Sequence, residues 1–282
     1  MADDNIIKRL AFRLVKRHIA GFTIESALNS VRILNAKKLH ATVTFLNGHV
    51  HDRVKAKYNT NAYMQLLRQL SRLHLDAGIS LRLSQLGYDV DKGFGERNLA
   101  EIIDAAREGA KFVWLEGEQS VPDVPKLYKR LVQKHALLGM EMPLGYKEVR
   151  KEYNIKIRYH MHNMRADAKS ADAKGLVQEF SRNISSLAER VGSVTVFEKD
   201  YHVLSKVINS CQGKRNLIFE LPLGYEKNIN TDKQARGMSV YVPYGRDWVP
   251  YIISSIAEGR VKRVATTLLD GEKNGGGSSN AN

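Results

Sequence analysis

Two six-residue segments of this chain repeat one another, Glu141-Met-Pro-Leu-Gly-Tyr146 and Glu220-Leu-Pro-Leu-Gly-Tyr225, and differ only at Met142 and Leu221. Each glutamate stands at the end of an apolar run. Other polar residues occupy similar positions after apolar runs: Arg82, Ser84 and Gln85; Glu116 and Glu118; Lys156, Arg158, His160 and His162; Glu198 and Asp200; Tyr241 and Tyr244. So many ionisable groups in one kind of position suit a polar ligand pocket or a catalytic site. The competing reading is a structural plug, with Arg82 and Lys156 neutralised by Glu116, Glu141 and Glu220. His160 and His162 are two apart, so on a strand they face the same way and could share a cation. Glu198, Asp200 or His202 would have to complete such a site. A metal-dependent lyase or hydrolase is the weaker reading of these residues.

The elements that must carry these groups alternate. Strands are expected at His40–Phe45, Ile79–Leu83, Lys111–Leu115, Leu137–Met142, Ile155–Tyr159, Ser193–Phe197, Asn216–Leu221 and Ser239–Pro243. Amphipathic helices are expected at Ala62–Leu73, Leu99–Arg107, Pro125–His135, Leu176–Arg190, His202–Ser210 and Trp248–Glu258. Strand–helix alternation implies parallel strands with helical crossovers. Eight such strands fit a closed (β/α)8 barrel of the TIM type. An open doubly wound sheet usually opens on a GxGxxG turn, which is missing. In a barrel the strand C-terminal ends form the active face, which would gather the residues above at one mouth.

Ile6, Ile7, Leu10, Leu14 and Ile19 recur at helical spacing among Lys8, Arg9, Lys16 and Arg17, predicting an extra N-terminal amphipathic helix. Residues 1–35 are thus read as a helical segment packed on the barrel, 36–265 as the barrel, and 266–282, rich in Gly, Ser and Asn, as a flexible tail. The chain has 282 residues and one cysteine, Cys211. That removes disulfide frameworks and cysteine-based zinc modules. No apolar run reaches the roughly 18 residues of a membrane span, and the acidic start is unlike a signal peptide. A cytoplasmic protein, peripheral to a membrane at most, is expected. The net charge is +14. Such an excess is compatible with nucleic acid or an anionic membrane surface as partner. No RNP or helix-turn-helix signature accompanies it.

Several strings resemble the proline dehydrogenase family, flavin enzymes on a distorted (β/α)8 barrel. They are Arg17-His-Ile-Ala-Gly-Phe-Thr23, Leu34-Asn-Ala-Lys-Lys-Leu39 with Thr42–Val50, Ile79-Ser-Leu-Arg-Leu-Ser-Gln-Leu-Gly87, Val113-Trp-Leu-Glu-Gly-Glu-Gln-Ser120 and Val240–Tyr251. They are collinear over roughly residues 10–260. The resemblance implies FAD and oxidation of proline, or a related imino acid or amine, by hydride transfer, as in proline catabolism. It implies substrate contacts from Arg82, Glu116, Glu118, Tyr251 and Glu258, and flavin contacts from Glu141, Lys156, Asp200 and Glu220.

The chain departs from the family at several of these positions. The family's strand-two lysine is Arg82. Its two flavin-contacting glutamines are Glu141 and Glu220, and a carboxylate cannot donate the hydrogen bond that an amide can. Its strand-five arginine matches Lys156. Its strand-six Thr-His-Asp is Glu198-Lys199-Asp200. The arginine pair that grips the substrate carboxylate is Ser254-Ser255. Arginine forks bind carboxylates strongly, whereas serines offer neutral bonds. The alternative reading is therefore a catalytically diverged barrel, a pseudoenzyme that binds another ligand, such as RNA or a ribonucleoprotein, without flavin.

Overall fold

The computed structural model describes residues 16–48, 50–118, 121–142, 152–160, 173–211, 213–226 and 237–257. Among these residues, eight parallel strands close into a barrel in sequence order, with β8 pairing back onto β1. The strands are β1 His40–Phe45, β2 Ala77–Leu81, β3 Val113–Leu115, β4 Leu138–Glu141, β5 Glu152–His160, β6 Val191–Phe197, β7 Leu217–Pro222 and β8 Met238–Tyr244. The helices are α1 Ile24–Ala36, α2 Arg53–Arg72, α3 Lys92–Glu108, α4 Val124–Val132, α5 Ala173–Ala188, α6 Tyr201–Ser210 and α7 Trp248–Ala257. A 3-10 turn at Leu83–Leu86 follows β2. The expected (β/α)8 class is the observed one.

Hydrophobic pairing of strands with helices explains the outer shell. Ala41, Val43, Ile79, Leu81, Val113, Leu115, Val194, Val196, Val240 and Val242 are all buried, and they pack in one continuous cluster with Val31, Leu66, Ile102, Phe180 and Leu204 of the helices. The residues that alternate with these on the strands point into the barrel, because strand side chains alternate in direction. Here that inner set combines small residues, Thr42, Thr44, Ser80, Gly139, Thr195 and Ser239, with the larger Trp114, Arg158, Glu220 and Tyr241. Barrel interiors are usually filled by branched apolar residues. This one is built around hydroxyls and an ion pair.

Gly139 shows why small residues matter inside. A methyl group there would stand 2.5 Å from the Trp114 ring. Trp114 in turn lies flat beneath the Arg158 guanidinium, 4.7 Å from its ring centroid. Gly139→Ala is expected to cost about 1–3 kcal/mol through overpacking, read as a lower urea midpoint at unchanged slope.

Helix starts differ from the sequence expectation. α2 begins at Arg53, well before Ala62, because Asp52 accepts the amide of Lys55 as N-cap at 2.8 Å. α3 begins at Lys92, before Leu99, with Asp91 accepting from Phe94. Capping side chains define these starts, while the apolar periodicity begins a turn or more later. Residues 16–22, which include Ile19 of the expected N-terminal helix, form turns and bends. Gly21 there takes φ 119°, a left-handed conformation open to glycine. Residues 1–15 and the tail 266–282 lie outside the described residues. No helix among the described residues is long and apolar enough to cross a membrane.

Candidate functional site: a charged mouth over a buried arginine

A cavity of about 610 Å³ opens at the C-terminal ends of the strands. Its walls come from the ends of β1, β3, β4, β5, β6 and β8, from the turn after β2 and from α7. Arg82, Glu116, Glu118, Glu141 and Tyr251 all line it, together with His160, Phe197 and Tyr241. The barrel thus brings those sequence candidates into one site.

Glu116 is the hub of one wall. It is buried, and it accepts from Arg82 Nε at 3.0 Å, the Tyr241 hydroxyl at 2.7 Å and, more weakly, the Thr44 hydroxyl at 3.5 Å. Its charge holds the Arg82 guanidinium above its usual range. Burial raises the Tyr241 hydroxyl well above the ordinary tyrosine value, and the Glu116 charge adds to that. Tyr241 therefore stays a neutral donor. The β2–turn junction sets Arg82: Gln85, three residues on, accepts the Arg82 backbone amide and fastens itself to Tyr63 and the Phe45 carbonyl.

Glu118 stands beside this hub and accepts from both the amide and the hydroxyl of Ser84. Desolvation raises its carboxyl above the ordinary glutamate range, against the pull of those bonds and of Arg82. The unfolded carboxyl titrates at about 4.3. Between that value and the raised folded one, the folded chain keeps a proton that the unfolded chain has lost. Stability therefore falls as pH rises through that window. Glu118→Gln is expected to abolish this fall and to be more stable than the parent at pH 8, as measured by urea titration at several pH values.

The opposite wall is organised by Arg158, which is 1% exposed. Its Nε lies 2.9 Å from Glu220 Oε2, and its Nη1 lies 2.9 Å from the Ser80 hydroxyl and 3.7 Å from Glu141 Oε2. The rings of Trp114 and Tyr241 lie on it, at 4.7 and 5.5 Å. Both glutamates of the repeated hexapeptide thus converge on one arginine. Glu220 is fully buried and also accepts from Ser239 at 3.1 Å. Glu141 is partly exposed and approaches His160 Nε2 at 3.3 Å. His160 stacks on Phe197, with ring centroids 4.4 Å apart.

Lys156 is not in the mouth. It lines a second cavity of about 500 Å³ at the opposite, N-terminal end of the barrel, with Lys38, His40, Asp76, Phe112 and Thr195. Its ammonium donates to the Ala136 carbonyl and lies over the Phe112 ring. Burial lowers its pKa. The physical reason is register. Lys156, Arg158 and His160 share the inner face of β5, so each step of two residues climbs from base to mouth. Matching a lysine to the family's strand-five arginine therefore selects the wrong storey. Arg158, named in the sequence among the polar residues near strand ends and not as a flavin or substrate contact, could have been assigned to the mouth from that alternation, since it pairs in register with Glu141.

Among the described side chains, Glu198, Asp200, Glu220 and Tyr244 do not line the cavity. Glu198 accepts from the amides of Lys199 and Asp200 at 2.9 and 3.0 Å, and Asp200 accepts from Val203 at 3.3 Å where α6 begins. Both are thereby occupied in the β6–α6 turn. Glu220 lies behind Arg158 and borders the lower cavity. Tyr244 is buried against the Phe45 ring, 5.1 Å away on the outside of the barrel. Ser254 and Ser255 fall in α7 one turn after Tyr251. Glu258 and His162 lie outside the described residues. Among the described residues there is no group of three or more metal-ligating side chains.

The donor set can be compared with what a flavin ring requires. Arg158 presents a buried guanidinium at the cavity floor whose Nη2 has no hydrogen-bond partner among the described residues. Ring carbonyls and ring nitrogens are acceptors that such a donor would satisfy. The Phe197–His160 stack supplies an adjacent flat wall. On this count the donors present fit a flavin ring, which Arg158 would hold.

No protein-family model matches the chain. Among curated proteins it is similar to Proline dehydrogenase 1 of Bacillus subtilis (strain 168), at 23% identity over 262 residues, covering 86% of each chain. It is also similar to Proline dehydrogenase of Deinococcus radiodurans, at 22% identity over 280 residues, covering 90% of this chain and 89% of that one. Among solved structures, proline utilization A from Bdellovibrio bacteriovorus, inactivated by N-propargylglycine, superposes with a TM-score of 0.67 at 16% identity over 86% of this chain. Proline utilization A from Bradyrhizobium japonicum superposes with a TM-score of 0.64 at 14% identity over 90% of it. The chain spans about a third of those longer proteins, 32% and 31%. In sequence over most of its length, and in the architecture of its barrel, the chain resembles the proline dehydrogenases.

Proposed function

We propose that this barrel oxidises proline, or a related imino acid or amine, in its mouth cavity by hydride transfer to a bound FAD. The observation that carries this is the wall made by Arg82, Glu116, Glu118, Tyr241 and Tyr251 around the 610 Å³ cavity, in a chain similar to proline dehydrogenases. The flavin supplies the hydride acceptor. The remaining work falls to residues of this chain. Glu116 fixes Arg82 and Tyr241, so the wall is preorganised before a ligand enters. Glu118 and Glu141 face the substrate nitrogen and balance its positive charge. Tyr251 and Tyr241, with ring centroids 6.4 Å apart, form an apolar side for the substrate ring and exclude water from it. Arg158 lends N–H groups to the flavin ring.

The test is a visible spectrum of the purified protein before and after FAD is added, followed by anaerobic addition of proline or pyrrolidine. The expected result is a flavin absorbance band that bleaches with one of them. A protein that is colourless once unbound FAD has been removed rules this reading out.

A further inference from the structure

The inward side chains of the strands stack in storeys, since every second residue faces the axis. One storey, Thr42, Trp114, Arg158, Thr195 and Glu220, is buried and closes the barrel between its two ends. Two residues nearer the N-terminal end stand His40, Phe112, Lys156, Ser193 and Ile218. All five are half-buried, and all line the lower cavity of about 500 Å³. That volume is in the range of small-molecule sites. The closed storey stands between this cavity and the mouth.

The lower storey holds a cation without a counter-charge. The Lys156 ammonium donates to the Ala136 carbonyl and lies over the Phe112 ring, 5.8 Å from its centroid. No carboxylate pairs with it among the described residues, and burial lowers its pKa with no acid opposing the shift. Lys38, exposed at the rim of the same cavity, also makes no ion pair among the described residues. The two acids of the lining have partners of their own: Asp76 Oδ1 lies 2.8 Å from the His40 ring, and Glu220 Oε2 lies 2.9 Å from Arg158. Holding an ammonium partly out of water without an anion is unfavourable. An oxyanion beside it would offset that through charge-assisted hydrogen bonds.

The neighbours of Lys156 suit the rest of such a ligand. Ser193 is its register partner on β6, so the two side chains stand side by side, about 4.8 Å apart at the backbone. Phe112 and Ile218 offer apolar surface, and the Phe112 ring continues into Trp114, with centroids 4.9 Å apart. Aromatic walls favour a flat ring over an alkyl chain of equal area.

We propose that the base of the barrel is a second ligand site, which takes a small aromatic carboxylate: Lys156 and Lys38 hold the carboxylate, Ser193 donates to it, and Phe112 and Ile218 enclose the ring. The site is independent of the oxidation in the mouth, and its test needs no flavin.

The experiment is calorimetric titration of the purified full chain, at neutral pH and without added FAD, with four probes. Naphthoate carries ring and carboxylate, acetate the carboxylate alone, naphthylmethanol the ring without charge, and naphthylmethylamine the ring with the opposite charge. Naphthoate is expected to bind about tenfold or more tightly than each of the others. Lys156→Gln is expected to weaken it about tenfold, and Lys38→Gln and Ser193→Ala to weaken it by smaller factors. Each variant is checked for an intact melting transition. Should Lys156→Gln fail to fold, the other two, at less buried positions, carry the test. Arg82→Gln, in the mouth, is expected to bind naphthoate as the parent does. Absence of naphthoate binding overturns the proposal, as does naphthylmethanol or naphthylmethylamine binding equally tightly. Naphthoate binding that Arg82→Gln abolishes and the base variants leave unchanged puts the ligand in the mouth and also overturns it.

Discussion

Replacing Arg158 with methionine is expected to destabilise the barrel by about 3–5 kcal/mol, because breaking a buried ion pair from one side leaves an uncompensated charge. Glu220 is fully buried behind the guanidinium, with Ser239 as its remaining donor. The Trp114 and Tyr241 rings also lose the cation lying on them. The double replacement Arg158→Met with Glu220→Leu removes both charges together. A buried pair exchanged for packed apolar groups is often near neutral. The double variant is therefore expected to recover most of the loss, and urea unfolding of the two single variants and the double gives the coupling directly. A single Arg158→Met variant as stable as the parent would show that water reaches the pair and that the barrel centre is wet.

Restoring amides at both repeated positions, Glu141→Gln with Glu220→Gln, is expected to raise flavin affinity about tenfold or more. The local charge around Arg158 then changes from net negative to net positive, since two carboxylates at 3.7 and 2.9 Å are replaced by neutral groups. Electron-rich ring acceptors gain from an uncompensated guanidinium, and amides can donate where carboxylates cannot. The free protein is expected to lose stability at the same time, because Arg158 remains buried without a counter-charge. Fluorescence titration of FAD against the parent and the double variant measures the gain, and thermal melting with and without FAD measures the compensation. An unchanged FAD affinity would mean that Arg158 does not contact the ring.

The framework was more legible in the sequence than the site. β1 falls on its expected residues, His40–Phe45, and the other strands are displaced by only a few residues at an end. Short runs of Val, Ile and Leu bounded by polar residues carry that information, because strands in a covered parallel sheet must be apolar toward their helices. Arg82, Glu116, Glu118 and Tyr251 were legible for a related reason: each follows a strand or opens the last helix, and the barrel collects such residues at one face. Lys156 was misplaced because proximity to a strand end was read without the inward–outward alternation that assigns height within the barrel. Glu198 and Asp200 were misjudged as mouth residues because their local bonds to turn amides are backbone events. A list of residue types does not show which acids are already spent on capping. The convergence of Glu141 and Glu220 on Arg158 needed three strands to be closed around one axis, which no window of sequence contains.

The segment just before α1 has a consequence for how the molecule is made. Ala20 donates to the Pro243 carbonyl, Gly245 donates to Gly21, and the His18 ring reaches the Leu223 carbonyl. Ile19 is buried with Leu46, Phe197, Tyr241, Trp248, Tyr251 and Ile252 in a small cluster separate from the main core. One end of the described chain is thus laced across the last strands, and β1 itself must wait for β8. Contacts of such long sequence separation form late, since loop closure must precede them. On a ribosome, the first strands would emerge with an open edge and the mouth would have no roof until nearly the whole chain was free. The cavity at the strand ends is therefore complete only once β8 has paired with β1.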